Sequence, residues 1–108
     1  MVKLFRHKNE VSKKEDSEEQ IIKDANIVLD IIKNSVSVTS VSYQNVYYVF
    51  GKRLGLPYDS VNGLYRSYDL EQRVSDGLRL LVARGYLGWG GNRDNSISFS
   101  KSNLPSCI

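Results

Sequence analysis

The sequence predicts a single α+β domain: a helix, a short extended segment, two further helices and a closing β-hairpin. Three observations carry that prediction. Apolar residues recur at helical spacing over 17–34 and again over 69–84. A polar, glycine-rich turn at 90–95 separates two short alternating runs near the C-terminal end. The chain has 108 residues, 41% of them hydrophobic and 25% charged, which suits one globular core and is too apolar for a wholly disordered chain.

Residues 1–16 carry many charges and show no period, so they read as a flexible arm. Ser17-Glu18-Glu19-Gln20 has the spacing of a capping box, which places a helix start at Ser17. Behind it Ile21, Ala25, Val28, Leu29 and Ile32 form an apolar stripe, widened by Ile22, Ile27 and Ile31. The helix should end near Asn34-Ser35. Val36, Val38 and Val41, interleaved with Ser and Thr, predict a short strand or extended connector. A second helix is expected from about Gln44 to Leu54, capped by Ser42 or Asn45 and buried through Val46, Tyr47, Val49, Phe50 and Leu54. Gly55 and Pro57 stop it.

Residues 58–68 are ambiguous: Asp59 suits a helix cap, whereas Asn62-Gly63 weakens a helix. The third helix, 69–84, is clearer. Asp69 with Gln72 suggests its cap, Leu70, Val74, Leu78, Leu81 and Val82 its buried stripe, and Gly85 its end. Tyr86–Trp89 and Ser96–Ser100 are the strands of the hairpin, and 101–108 read as a tail. The domain organisation is thus an arm over 1–16, a folded domain over 17–100 and the tail.

The formal net charge is +3. Basic and acidic residues cancel over 1–34, so the excess lies downstream, where arginine replaces lysine as the main cation. Arginine's planar fork suits phosphates and base edges, which hints at recognition of nucleic acid, with ordinary surface arginines as the alternative. No apolar run approaches a membrane span, no secretory signal is visible, and Cys107, the only cysteine, cannot form an internal disulfide. These features suggest a cytoplasmic protein.

The run Arg73-Val74-Ser75-Asp76-Gly77-Leu78-Arg79-Leu80-Leu81-Val82-Ala83-Arg84-Gly85-Tyr86-Leu87 resembles the last helix and the start of the wing in winged helix-turn-helix domains. More narrowly, Tyr43 to Ser100 is similar to the C-terminal winged-helix domain of archaeal replication initiators, through Asn45-Val46-Tyr47-Tyr48, a long connector and Arg73-Val74-Ser75-Asp76. No ATPase module accompanies it, so the initiators' nucleotide-dependent activity is not implied.

The resemblance implies a protein that binds double-stranded DNA, a sequence-specific transcriptional regulator with helix 69–84 in the major groove and wing 88–96 on flanking DNA. Gln72 suits adenine and Arg79 guanine, with Ser75 on the same flank. Arg66, Ser67 and Arg73 are placed to meet phosphate, and Asn92 and Arg93 lie at the wing tip, where a solvated turn is the alternative for Arg93. Trp89 and Tyr86 read as core or strand partners. A competing register makes 58–67 the reading helix, exposing Tyr58, Ser60, Asn62, Tyr65 and Arg66. Helix 17–34 is the candidate surface for a homodimer. Two other functions stay open: a winged helix that binds protein, which would explain Asp69, Glu71 and Asp76, and a replication or partition factor of an archaeal plasmid or virus.

Enzyme chemistry is not expected. His7, the only histidine, and Cys107 have no partners at catalytic or metal-ligand spacing, and no phosphate-binding loop is present. No cofactor and no metal is implied.

Overall fold

The computed structural model describes the backbone of residues 2–66, 69–90 and 95–108, with side chains from Ser17 onward. Among the described residues the fold is α+β, with three α-helices and two small antiparallel sheets. Helix α1 spans Val2–Lys33, strand β1 Ser40–Ser42 and helix α2 Tyr43–Arg53. Strands β2 (Tyr58–Asp59) and β3 (Leu64–Tyr65) precede helix α3 (Leu70–Ala83), which leads into β4 (Leu87–Trp89) and β5 (Ser96–Phe99).

Helix α1 continues N-terminally past the expected boundary. The chain has no proline or glycine before Gly51, so nothing in its backbone breaks the helix at residue 16, and Ser17 lies inside α1 rather than capping it. The apolar stripe falls where it was expected: Ala25, Val28, Leu29 and Ile32 are buried, chiefly against α3. That packing takes up the stripe itself, while Ile21 and Ile27 on the same helix stay half-buried. Ile22 is the large apolar residue that stays exposed on the described part of α1.

The strand after α1 is shorter than the valine run suggests. Ser35 Oγ donates to the Ile32 carbonyl at 2.7 Å, and Ser37 Oγ accepts from Ser40 N at 3.2 Å. These local bonds turn the chain and leave Val36 and Val38 exposed. Of the two possible caps for α2, Ser42 acts: its Oγ accepts from Asn45 N at 3.1 Å. Both α2 and α3 end in the same motif. Gly55 and Gly85 have positive φ, 69° and 82°, and the residue after each donates back to a helix carbonyl: Leu56 N to Gly51 O at 3.1 Å and Tyr86 N to Leu81 O at 3.0 Å.

Residues 58–65 are a hairpin, not the second candidate reading helix. Asp59 Oδ1 accepts from Val61 N at 2.9 Å, and Asp59 Oδ2 accepts from Asn62 Nδ2 at 2.7 Å. The same carboxylate that suggested a helix cap therefore closes a turn with Asn62-Gly63, pairing Tyr58 with Tyr65 and Asp59 with Leu64. These hydrogen bonds, the Asn62 side chain first, hold the Asp59 carboxyl below its usual range.

The larger sheet has the order β1-β5-β4, with Val41 opposite Ile97 and Trp89 opposite Ile97 on the other side. Ile97, Phe99 and Leu87 from this sheet join Phe50, Val46, Leu70, Val74, Leu78 and Leu81 in one core with α1. The C-terminal segment is docked rather than trailing. After a 3-10 turn at Lys101–Asn103, the Asn26 amide brackets Ile108, accepting from its N at 2.8 Å and donating to its O at 3.4 Å. Lys33 Nζ donates to the Pro105 carbonyl at 3.2 Å, and Leu104 and Ile108 pack on the core.

Candidate nucleic-acid interface

Helix α3 presents two unlike faces because its sequence alternates at helical spacing. Leu70, Val74, Leu78 and Leu81 are buried. A 100° step sets Gln72, Asp76, Arg79 and Ala83 in a row on the opposite side. Gln72, Arg79 and Ala83 are exposed and Asp76 is half-buried. Gln72 does not cap the helix with Asp69; its Nε2 donates to Asp76 Oδ1 at 2.8 Å, one turn along the row. Asp69 holds the N-cap position without a side-chain capping bond.

Arg66, just after β3, is exposed, and its backbone N donates to Pro57 O at 2.9 Å, closing the foot of the hairpin. Two other expected contacts are occupied elsewhere. Arg73 turns inward: Nη2 meets Asp24 Oδ1 at 2.9 Å and Nε meets Oδ2 at 3.1 Å, a forked pair across α1 and α3. Asp24 is 1% exposed. Hydrogen bonding to it raises the already high pKa of Arg73 further. Ser75 is buried rather than on the open flank, because the start of α2 covers it. It faces the Tyr43 hydroxyl, which burial pushes above the ordinary phenol range and Ser75 partly pulls back. The geometry falls short of a hydrogen bond. Ser67, Asn92 and Arg93 lie outside the described residues.

The tyrosines are the feature that helical stripes did not reveal. Tyr43 stacks on Trp89 with ring centroids 5.6 Å apart and planes 6° apart, so Trp89 is a packing partner on β4 as expected. Tyr65, buried, meets Tyr47 at 5.6 Å and Tyr58 at 4.9 Å. Its hydroxyl donates to the Tyr48 carbonyl, and its backbone N donates to Tyr47 Oη at 3.1 Å. A Cβ on Gly51 would overlap the Tyr65 ring, so this glycine seats the hairpin against α2, not a second helix against it. Tyr43 and Tyr47 sit four apart on α2, the one signal of this cluster visible in sequence.

Burial also pushes the Tyr65 phenol up. A raised folded value means that the unfolded chain releases these protons first. The stability contributed by the neutral Tyr43 and Tyr65 is therefore full below the ordinary phenol value of 10.0 and is lost as pH rises through the folded values. The urea midpoint should fall between about pH 9 and pH 11, and less so in a Tyr65→Phe variant; a flat midpoint in the parent would contradict the assignment.

Among the described residues no group of His, Cys, Asp and Glu is placed to hold a metal ion, and no helix is long and apolar enough to cross a membrane. The chain matches no protein-family model, no curated protein sequence and no solved structure.

Proposed function

We propose that the chain is a winged-helix protein that binds double-stranded DNA as a sequence-specific transcriptional regulator. The observation that carries this reading is the path of the chain: helix, strand, helix, a short two-stranded hairpin, helix, strand, strand, with β1 on one side of β5 and β4 on the other. That order sets α3 directly before the β4–β5 hairpin with a polar row facing outward. A helix so placed fits the major groove while the hairpin flanks it. Gln72 and Arg79 are the base-reading residues of that row, and Arg66 is the phosphate contact beside it. Arg73 and Ser75 leave the proposed contact set, one paired with Asp24 and the other covered.

Fluorescence anisotropy with duplex DNA across a salt series tests the proposal. Affinity should fall linearly in log salt. Arg66→Ala should lower the slope by about one, while Arg79→Ala should lose about 1–3 kcal/mol at one base position and relax preference there. No binding to any duplex at low salt would retire the reading.

One observation favours a protein-binding winged helix as the second reading. The β2–β3 hairpin exposes Tyr58, Val61 and Leu64 together, and Asp69 and Glu71 follow at the start of α3. An apolar tip beside carboxylates suits a protein surface better than a phosphate backbone. A chain that ignores DNA and whose hairpin variants lose a protein partner would establish it.

A further inference from the structure

A groove of about 800 Å³ opens between the start of α2, the β2–β3 hairpin and the start of α3. Its volume is in the range that takes a small ligand. Four tyrosines line it: Tyr43, Tyr47, Tyr48 and Tyr58. Tyr48 and Tyr58 meet edge to face, with centroids 5.4 Å and planes 86° apart, and form an aromatic corner. Both are still open to solvent, 43% and 45% exposed.

The charge inventory decides what chemistry fits. Amides and hydroxyls supply hydrogen bonds, but among the described residues no lysine or arginine lines the groove, and Glu71 is the one charged side chain. Glu71 has no ion-pair partner among the described residues. Its field reaches the Tyr43 phenol and helps to raise it. Ring faces carry negative electrostatic potential. Tyr43 is stacked on Trp89 and on Tyr47, so the two solvent-open rings, Tyr48 and Tyr58, are the ones that act with the same sign as the carboxylate. A nucleic-acid strand would find rings to stack on, but among the described residues its phosphates would meet a carboxylate and no cation.

We propose that this groove binds a compact organic cation, a quaternary ammonium or guanidinium group, held by the tyrosine rings and neutralised by Glu71. The site is independent of DNA binding and stands or falls without it.

Tyrosine ring-proton NMR on the full chain, without DNA, tests it with three probes: choline, arginine amide, and the neutral analogue of choline with carbon in place of nitrogen. At least one cation should give saturable shifts at Tyr48 and Tyr58 with a millimolar or tighter dissociation constant. The neutral analogue should bind at least about tenfold more weakly, and Glu71→Gln and Tyr58→Leu should each weaken the cation by about tenfold. Both positions are solvent-accessible, and circular dichroism confirms that each variant keeps its helices. Binding of choline alone assigns a free small molecule; binding of arginine amide alone assigns a partner's side chain. No saturable shift with either cation, equal binding of the neutral analogue, or unchanged cation affinity in Glu71→Gln would each overturn the proposal.

Discussion

Replacing Arg73 with alanine is expected to cost about 3 kcal/mol of folding stability, seen as a lower urea midpoint with an unchanged slope. The reason is asymmetric burial. The side chain of Asp24 is 2% exposed and that of Arg73 27%, so removing the arginine strands a carboxylate away from water, whereas removing the carboxylate strands a cation that still reaches solvent. Gln20 Nε2 donates to Asp24 Oδ1 at 2.9 Å and continues to do so, which holds the loss to the low end of what breaking a buried pair costs. The guanidinium also lies 5.7 Å from the centre of the Phe50 ring, so the same substitution removes a contact with α2. Asp24→Leu with Arg73→Met removes both charges and should recover at least half of the loss, because nothing polar is then left unpaired. A loss below about 1 kcal/mol in Arg73→Ala would mean that water solvates Asp24 as well as arginine does.

That pair also marks where sequence reasoning stops. The stripe of α3 and the core positions of α1 were legible because each is a local repeat, readable within a dozen residues. Ser42, Gly85 and the β4–β5 strands were legible for the same reason, each a short signal at a chain reversal. Arg73 was not, since its partner lies 49 residues away and nothing in its neighbours distinguishes an inward arginine from an outward one. Ser75 was misplaced because a helical wheel ranks its flank by the helix alone, while Tyr43 from α2 covers it. The 58–65 hairpin has two residues per strand, too few for alternation to show, and Asp59 is as good a cap for a turn as for a helix. Of the candidate interface, the row Gln72, Asp76, Arg79 and the position of Arg66 were readable. The aromatic groove was not, because its tyrosines come from α2 and the hairpin and converge only in the fold.

Gly77→Val should be the second most damaging single change, with about 3 kcal/mol lost and the helical signal retained until unfolding. Gly77 lies one turn beyond Arg73 on the side of α3 that faces α1. A Cβ there would stand 3.0 Å from Ala25 N and 3.1 Å from the Asp24 carbonyl carbon. Those are backbone atoms in the middle of a helix, so relief requires the helices to separate. Alanine asks for a few tenths of an ångström and regains about 1 kcal/mol of helix propensity, which should leave Gly77→Ala mildly destabilised. Valine adds two methyl groups and regains less of that propensity. The close approach at Gly77 also brings Asp24 within reach of Arg73, so the two losses share a cause. A Gly77→Val/Arg73→Ala double variant should therefore lose clearly less than the two single losses combined. If the losses are additive, the ion pair forms without the close approach, and Gly77 serves packing alone.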